Sequence, residues 1–274
     1  DGLAVTLFPR AQHGLANGVQ VAAYRAGMML GGGVLLMVWD RAGWSLALVG
    51  LAMALAVSAV PLLALPKVGA GRGGRPPTGG FAWDWLLQPG RLGWIALLVG
   101  WKVGDHVAQT LMRPWLVDGG VEASTLGAWM GIHGFGAGLV GALMGGAAVE
   151  RFGAARALGP TAWLLVLGPL AWWVTVHFGL GVQAAWWAVV VDPWVGGVAS
   201  AAWFAAMMDR CREAQAGTDY TVQASLVVAG SGLGSLLGGI FGDALGYDAA
   251  FGVATVLTVA FALAVHLVPR AEAS

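Results

Sequence analysis

Three side chains able to carry a charge or pass a proton lie within five positions of one another, in the stretch Trp101-Lys102-Val103-Gly104-Asp105-His106. They sit near the middle of an apolar run over residues 92–117, long enough to cross a bilayer. At helical spacing, residues three and four apart overlie each other, so Lys102, Asp105 and His106 share one face. A charge at bilayer depth costs about 2.5–3.5 kcal/mol on insertion scales, so such groups turn toward a wet cavity or toward each other. A second carboxylate, Asp192, lies near the middle of the run over residues 181–208, followed by Pro193 and by Gly196-Gly197. Proline removes a backbone donor and disfavours helix at the residue before it, so a broken helix beside Asp192 is expected. A carboxylate balanced between burial and a neighbouring cation can take up and release a proton as its surroundings change. Asp105 and Asp192 are therefore the proton-coupling candidates, and Lys102 and Arg25 the groups to hold a polar or anionic solute.

Each of these readings has a plainer rival. Lys102 and Asp105 alone could form an intrahelical salt bridge with no further role, which would leave Arg25, Arg113 and Asp192 unexplained. Arg25 and Arg113 lie within a few turns of a run's end, where long cationic side chains snorkel to the surface. His106 and His133 fit a hydrogen-bonded histidine inside a helix bundle. Trp101 and Trp194 are deep and next to charges, as cavity walls would be. Most other tryptophans, among them Trp83, Trp85, Trp94 and Trp172, lie near run ends, where interface anchoring accounts for them.

The elements that must position these groups follow from composition. Hydrophobic residues make up 58% of the chain and charged ones 10%, with 45 glycines and 15 tryptophans. Soluble domains carry roughly 25% charge, so this chain belongs in a membrane. Net charge is zero, which gives nucleic acid no purchase, and the single cysteine, Cys211, excludes an internal disulfide or a thiolate metal cluster. The histidines are scattered without metal-ligand spacing, and no metal or cofactor is expected. Eight apolar runs of spanning length fall at about 17–38, 44–65, 92–117, 124–148, 158–176, 181–208, 220–242 and 249–268. The Gly-, Pro- and Arg-rich segment 66–91 reads as a linker. Ten basic residues, from Arg10 to Arg270, then fall on one side and Arg41 alone on the other, which puts both ends in the cytoplasm. Asp209, Glu213 and Asp219, interleaved with Arg210 and Arg212, read as a solvated cytoplasmic turn.

A repeat is visible at a constant offset. Val19-Gln20 falls on Val222-Gln223, Gly27 on Gly230, Gly31 on Gly234, and Asp40-Arg-Ala-Gly43-Trp44 on Asp243-Ala-Leu-Gly246-Tyr247. The first two spans then match the last two, and duplicated halves are a transporter habit. Six spans follow the linker, so four further spans are expected before Asp1. Glycines recur every fourth residue at Gly230, Gly234, Gly238 and Gly242, for which close helix packing is the plain reading.

Several stretches resemble the major facilitator superfamily. Gly146-Ala-Ala-Val-Glu150-Arg151-Phe-Gly153-Ala-Ala-Arg156 is similar to its Gly-x-x-x-Asp-Arg-x-Gly loop, with Glu in place of Asp and one extra spacer before the last Arg. Asn17-Gly18-Val19-Gln20 through Tyr24-Arg25, Trp101 to Asp105, Arg113-Pro114-Trp115-Leu116-Val117-Asp118 and Gly217-Thr218-Asp219-Tyr220-Thr221-Val222-Gln223 resemble the branch of AmpG-type muropeptide permeases, acetyl-coenzyme A transporters and siderophore importers. The resemblance implies an all-α, polytopic major facilitator fold, about eight transmembrane helices present and the first four lacking. Residues 1–65 would end the N-terminal half, 92–268 would form the C-terminal half, and 269–274 a cytoplasmic tail. It implies a proton-driven importer of a medium-sized muropeptide-like or siderophore-like solute in a bacterial inner membrane, and no enzyme. Its partners would be solute, protons, lipid and the missing N-terminal helices. Gln20, Tyr24, Arg25, Trp101, Lys102, Arg113 and Gln223 would bind solute, and Glu150, Arg151 and Arg156 would form a conformational latch. Two other classes stay open, a polytopic acyl or phosphate-group transferase and a non-transporting membrane scaffold.

Overall fold

Glycine and proline divide this chain more finely than hydropathy does. The computed structural model describes residues 13–28, 30–31, 35–64, 90–212 and 215–267, and these form helices and short turns without a strand. The helices are α1 (His13–Met28), α2 (Leu35–Ala64), α3 (Arg91–Gly100), α4 (Val103–Asp118), α5 (Ala123–Ala128), α6 (Phe135–Phe152), α7 (Ala154–Leu165), α8 (Leu167–His177), α9 (Trp186–Asp209) and α10 (Ala216–Leu267). Among the described residues, five helical stretches are long and apolar enough to cross a membrane. Leucines and valines at Leu46, Val57, Leu143, Leu236 and Val256 face outward. Such surface is costly in water and natural in lipid, so the molecule is a polytopic helical membrane bundle. Most of the linker, Trp83 and Trp85, the chain's opening and its tail lie outside the described residues, as does the Arg25 side chain.

The expected helix break at Asp192 does not occur. α9 runs unbroken through Pro193, with the carbonyl of Val189, which would have accepted from residue 193, lying beside Gly134. The interruptions fall elsewhere. The run over 92–117 is divided between α3 and α4 at Trp101-Lys102, so Lys102 caps α4 and Asp105 occupies its first turn. The run over 158–176 is divided at Val166, since Pro169 has no N–H to offer the carbonyl of Leu165. Within the run over 124–148, residues Trp129–Gly134 wind as a π-helix.

The offset repeat has a backbone counterpart. Gly43 (φ 81°, ψ 165°) and Gly246 (φ 74°, ψ 171°) break α2 and α10 at the same place in the Asp-x-x-Gly-aromatic turn. Gly153, in Glu150-Arg151-Phe152-Gly153, takes the same conformation (φ 82°, ψ 149°) between α6 and α7. A positive φ with an extended ψ is open to glycine and strained for other residues, which is why an acid-x-x-Gly pattern marks all three turns.

Glycine on helix faces sets the packing. α10 lies along α3 and α4, and α9 lies along α6. A Cβ on Gly230 would strike the carbonyl of Val99, and one on Gly238 would come within 2.9 Å of the Val107 carbonyl. On the other pair, Gly141 and Gly145 abut the carbonyls of Trp194 and Val198, and Gly197 abuts that of Gly138. Close packing is therefore what these ridges do. Two apolar clusters result. Trp94, Trp203 and Trp101 stack face to face in one, with centroids 5.7 and 5.5 Å apart, and Trp172 stacks on Phe251 in the other. Trp94 and Trp172, expected at the interface, are thus core residues. Gly230→Ala should destabilise the bundle by about 1–3 kcal/mol, read as a lower Tm in detergent, whereas Gly239→Ala, with open space around it, should leave Tm unchanged. Equal effects of the two would refute the packing account.

Candidate functional site

Both apolar clusters stop short of the ionisable residues. On α3 and α4 the first cluster ends at Trp101 and the second begins at Val107, and on α9 the second ends at Val189 and the first resumes at Ala199. Lys102, Asp105 and Asp192 occupy that seam. Lys102 Nζ donates to Asp105 Oδ2 at 2.9 Å, and Gln109 Nε2 donates to Oδ1 at 3.1 Å, so both oxygens of this 2%-exposed carboxylate are satisfied. The Nδ1 atom of His106 lies 3.5 Å from Asp105 Oδ2 but lacks hydrogen-bond geometry. Lys102 Nζ also sits 4.5 Å from the Trp101 ring centroid.

Asp192 is different. It is 3% exposed, has Asp105, Lys102 and the Trp172 indole as polar neighbours, and leaves Oδ1 without a hydrogen-bond partner. Its carboxylate is accommodated because residue 168 is glycine, and a Cβ there would overlap Oδ1. A buried carboxylate oxygen without a donor is costly and rare in a folded protein.

Lys102 and Asp192 open onto a cavity of about 440 Å³, within the size range of small-molecule sites. Tyr24, His106 and Arg113 line it too, so the structure brings together residues from α1, α4 and α9. Asp105 stands behind Lys102 and is not itself on the cavity wall. Trp101 is buried in its tryptophan stack and does not wall the cavity. Gln223 is fully buried in the first cluster, accepting from Trp94 Nε1 at 2.8 Å and donating to the Met207 carbonyl at 3.0 Å. Neither it nor Gln20 lines the cavity. Trp194 reaches away to Met144 Sδ at 3.4 Å. Glu150, Arg151 and Arg156 are exposed at the α6–α7 turn, with Arg151 5.5 Å from the Phe152 ring and no ion pair among the described residues. His133 is exposed in the π-helix and meets Trp186 edge-on at 5.9 Å.

Sequence reasoning passed over Gln109, Ser200, Ser231 and the methionines Met28, Met112 and Met130, all of which line the cavity. Gln109 had a signal, since it lies on the helical stripe through Lys102, His106 and Arg113. The serines and methionines had none, because only the crossing of helices decides which side of each one faces the opening.

The supposed solvated turn after α9 is also corrected. Asp219 is 0% exposed and is gripped by Arg212, with Nη2 at 2.7 Å from Oδ1 and Nε at 2.9 Å from Oδ2, while the Arg212 backbone N–H donates to Oδ2 at 2.9 Å. The Arg210 guanidinium lies over the Trp94 ring, 3.9 Å from its centroid. A bidentate guanidinium pair closed by a backbone donor is the form in which a carboxylate tolerates burial. Glu213 lies outside the described residues.

The chain is similar to permeases. Over 264 residues it is 25% identical to the anhydromuropeptide permease of Escherichia coli K12, covering 90% of this chain and 52% of the relative. The same figures hold for the anhydromuropeptide permease of Escherichia coli O157:H7. The chain thus spans about half the length of the curated relatives it matches. No family model matches it. The likeness is to transport proteins and not to enzymes.

Burial inside the post-α9 cluster, with Asp219 nearby, pushes the Cys211 thiol up to about 12. The thiol therefore stays protonated at neutral pH. Since the thiolate fraction falls tenfold per pH unit below the pKa, maleimide labelling at pH 7.5 should run at least about a thousandfold slower than for a free thiol. Mass spectrometry of the folded and urea-unfolded protein checks this, and rapid labelling of the folded form would contradict it.

Proposed function

We propose that this chain forms part of a proton-driven secondary transporter of the major facilitator type. On this reading it imports a medium-sized polar or anionic solute, muropeptide-like or siderophore-like, across a bacterial inner membrane. The observation that carries the reading is Asp192, which borders a cavity that also exposes Lys102 and Arg113 and keeps its Oδ1 buried and unpartnered against Gly168. Similarity to anhydromuropeptide permeases over 90% of the chain favours it.

The two carboxylates divide the work. Asp105 is satisfied on both oxygens by Lys102 and Gln109 and acts as the fixed counter-charge that holds the lysine in the cavity wall. Asp192 has an oxygen free to carry a proton and reaches both the cavity and the Lys102–Asp105 pair, so it is the coupling group. Protonating it removes a negative charge beside Lys102 and frees the ammonium for an anionic solute. Releasing the proton restores the competitor and weakens the hold on the solute. In this scheme the acid-x-x-Gly turn at Glu150–Gly153, with Arg151 and Arg156, serves as the latch between conformations. Arg25 is proposed as a second solute contact from α1, beside the cavity-lining Tyr24.

In proteoliposomes bearing the intact protein, an inward proton gradient should drive accumulation of labelled anhydromuropeptide or ferric siderophore. Asp192→Asn should lower that accumulation at least tenfold (about 1.4 kcal/mol) while solute exchange at equal pH persists. Asp105→Asn should weaken both, since it releases Lys102. Full gradient-driven uptake in both variants would overturn the assignment.

A further inference from the structure

Among the described residues, the cavity draws its cationic side chains from one helix. One wall is a single stripe of α4, where Lys102, His106, Gln109 and Arg113 follow at spacings of four, three and four. At 1.5 Å per residue the stripe extends about 16 Å. The rest of the lining comes from other segments and is mostly apolar, with Met28 on α1, Met130 in the π-helix, Phe135 on α6, Phe204 on α9 and Val227 on α10, interrupted by Tyr24, Asp192, Ser200 and Ser231. A second cavity adjoins the first, shares His106, Gln109, Met112 and Arg113, and adds Thr110 and Ser235. Polar groups therefore continue beyond the first cavity.

The stripe carries a cation at each end. Asp105 pairs with Lys102 and lies 3.5 Å from His106 Nδ1, and Asp192 borders the same cavity. Arg113 has no carboxylate partner among the described residues, and its side chain is exposed to the opening. The Nδ1 atom of His106, buried on the same stripe, faces Asp105 Oδ2 without hydrogen-bond geometry. An anionic group entering here meets a guanidinium first and an ammonium a stripe's length away. The methionines in the lining are unbranched and polarizable, able to mould around an apolar body of variable shape.

We infer that the cavity takes an elongated amphipathic organic anion, its acidic group on the Arg113–Lys102 track and its apolar flank against Met130, Phe135 and Phe204. The inference rests on the proposed reading of this cavity as the solute site, and narrows the solute to an anion with an apolar body. A small, wholly polar anion would leave the methionine and phenylalanine wall wet. An apolar cation would meet the unpaired charge of Arg113.

The test uses the intact protein in nanodiscs with Ser231→Cys on the cavity wall, the slow native Cys211 serving as internal reference. Maleimide labelling of position 231 is followed with acetate, octanoate or octylammonium as the competing probe. Octanoate should protect at a concentration at least about tenfold lower than acetate, as burial of even two extra methylenes requires, and octylammonium should not protect. Adding Arg113→Gln should raise the protective octanoate concentration at least tenfold, while Phe204→Ala should erase the advantage of octanoate over acetate. Equal protection by acetate and octanoate, protection by octylammonium, or no protection by any probe would each overturn the inference. Protection needs no proton gradient, so it separates the two claims. Chain-length preference with gradient-independent transport would sink the coupling proposal alone, and gradient-driven uptake lost in Asp192→Asn without chain-length preference would sink this inference alone.

Discussion

Everything near the centre of this bundle answers to one constraint, the cost of holding a lysine and two aspartates away from bulk water. Charges removed from water must be paired and hydrogen-bonded or they destabilise the fold that contains them. The Lys102–Asp105 pair meets that demand within one helical turn, aided by Gln109. Asp192 meets it only in part. The apolar clusters on either side respect the seam, with Trp101 and Val107 ending and beginning them on one helix pair and Val189 and Ala199 on the other.

Backbone proximity makes the seam possible. Gly168 leaves the space that the Asp192 carboxylate fills, and Gly104 lets α4 approach the second part of α10 at Thr258 and Ala254. Gly230, Gly234 and Gly238 hold α10 against the carbonyls of α3 and α4 across the interruption at Trp101-Lys102. That interruption exposes the start of α4 and turns Lys102 toward the opening. Glycine thus contributes twice, by absence of a side chain where helices meet and by positive φ at Gly43, Gly153 and Gly246, where the chain reverses.

Buried polar groups at the far end of α9 follow the same rule with a different outcome. Asp219 is fully enclosed yet receives two guanidinium bonds and a backbone N–H from Arg212. Nothing there is left unpaired for a ligand or proton to satisfy. The contrast with Asp192 is what separates a structural carboxylate from a functional candidate in this molecule, and exposure alone would not have told them apart, since both are almost wholly buried.

Much of the architecture was legible in residue order. Runs of about twenty apolar residues and scarce charge require membrane helices. The Asp-x-x-Gly-aromatic repeat located the turns at Gly43 and Gly246, and the superfamily-like loop over Gly146–Arg156 located the one at Gly153, where glycine tolerates the backbone angles. The pairing of Lys102 with Asp105 was also legible, being three residues apart on one helix. Tertiary structure decided the rest. It kept α9 intact through Pro193 and broke the helix at Lys102 instead, and it drew Trp101, Trp94 and Gln223 into a core where Trp203 and the Met207 carbonyl awaited them. It also set Asp192 beside Lys102 across nearly ninety residues of chain. Local spacing determines which side chains share a face of one helix, but which face meets an opening depends on how separate helices cross, and that information is distributed over all of them.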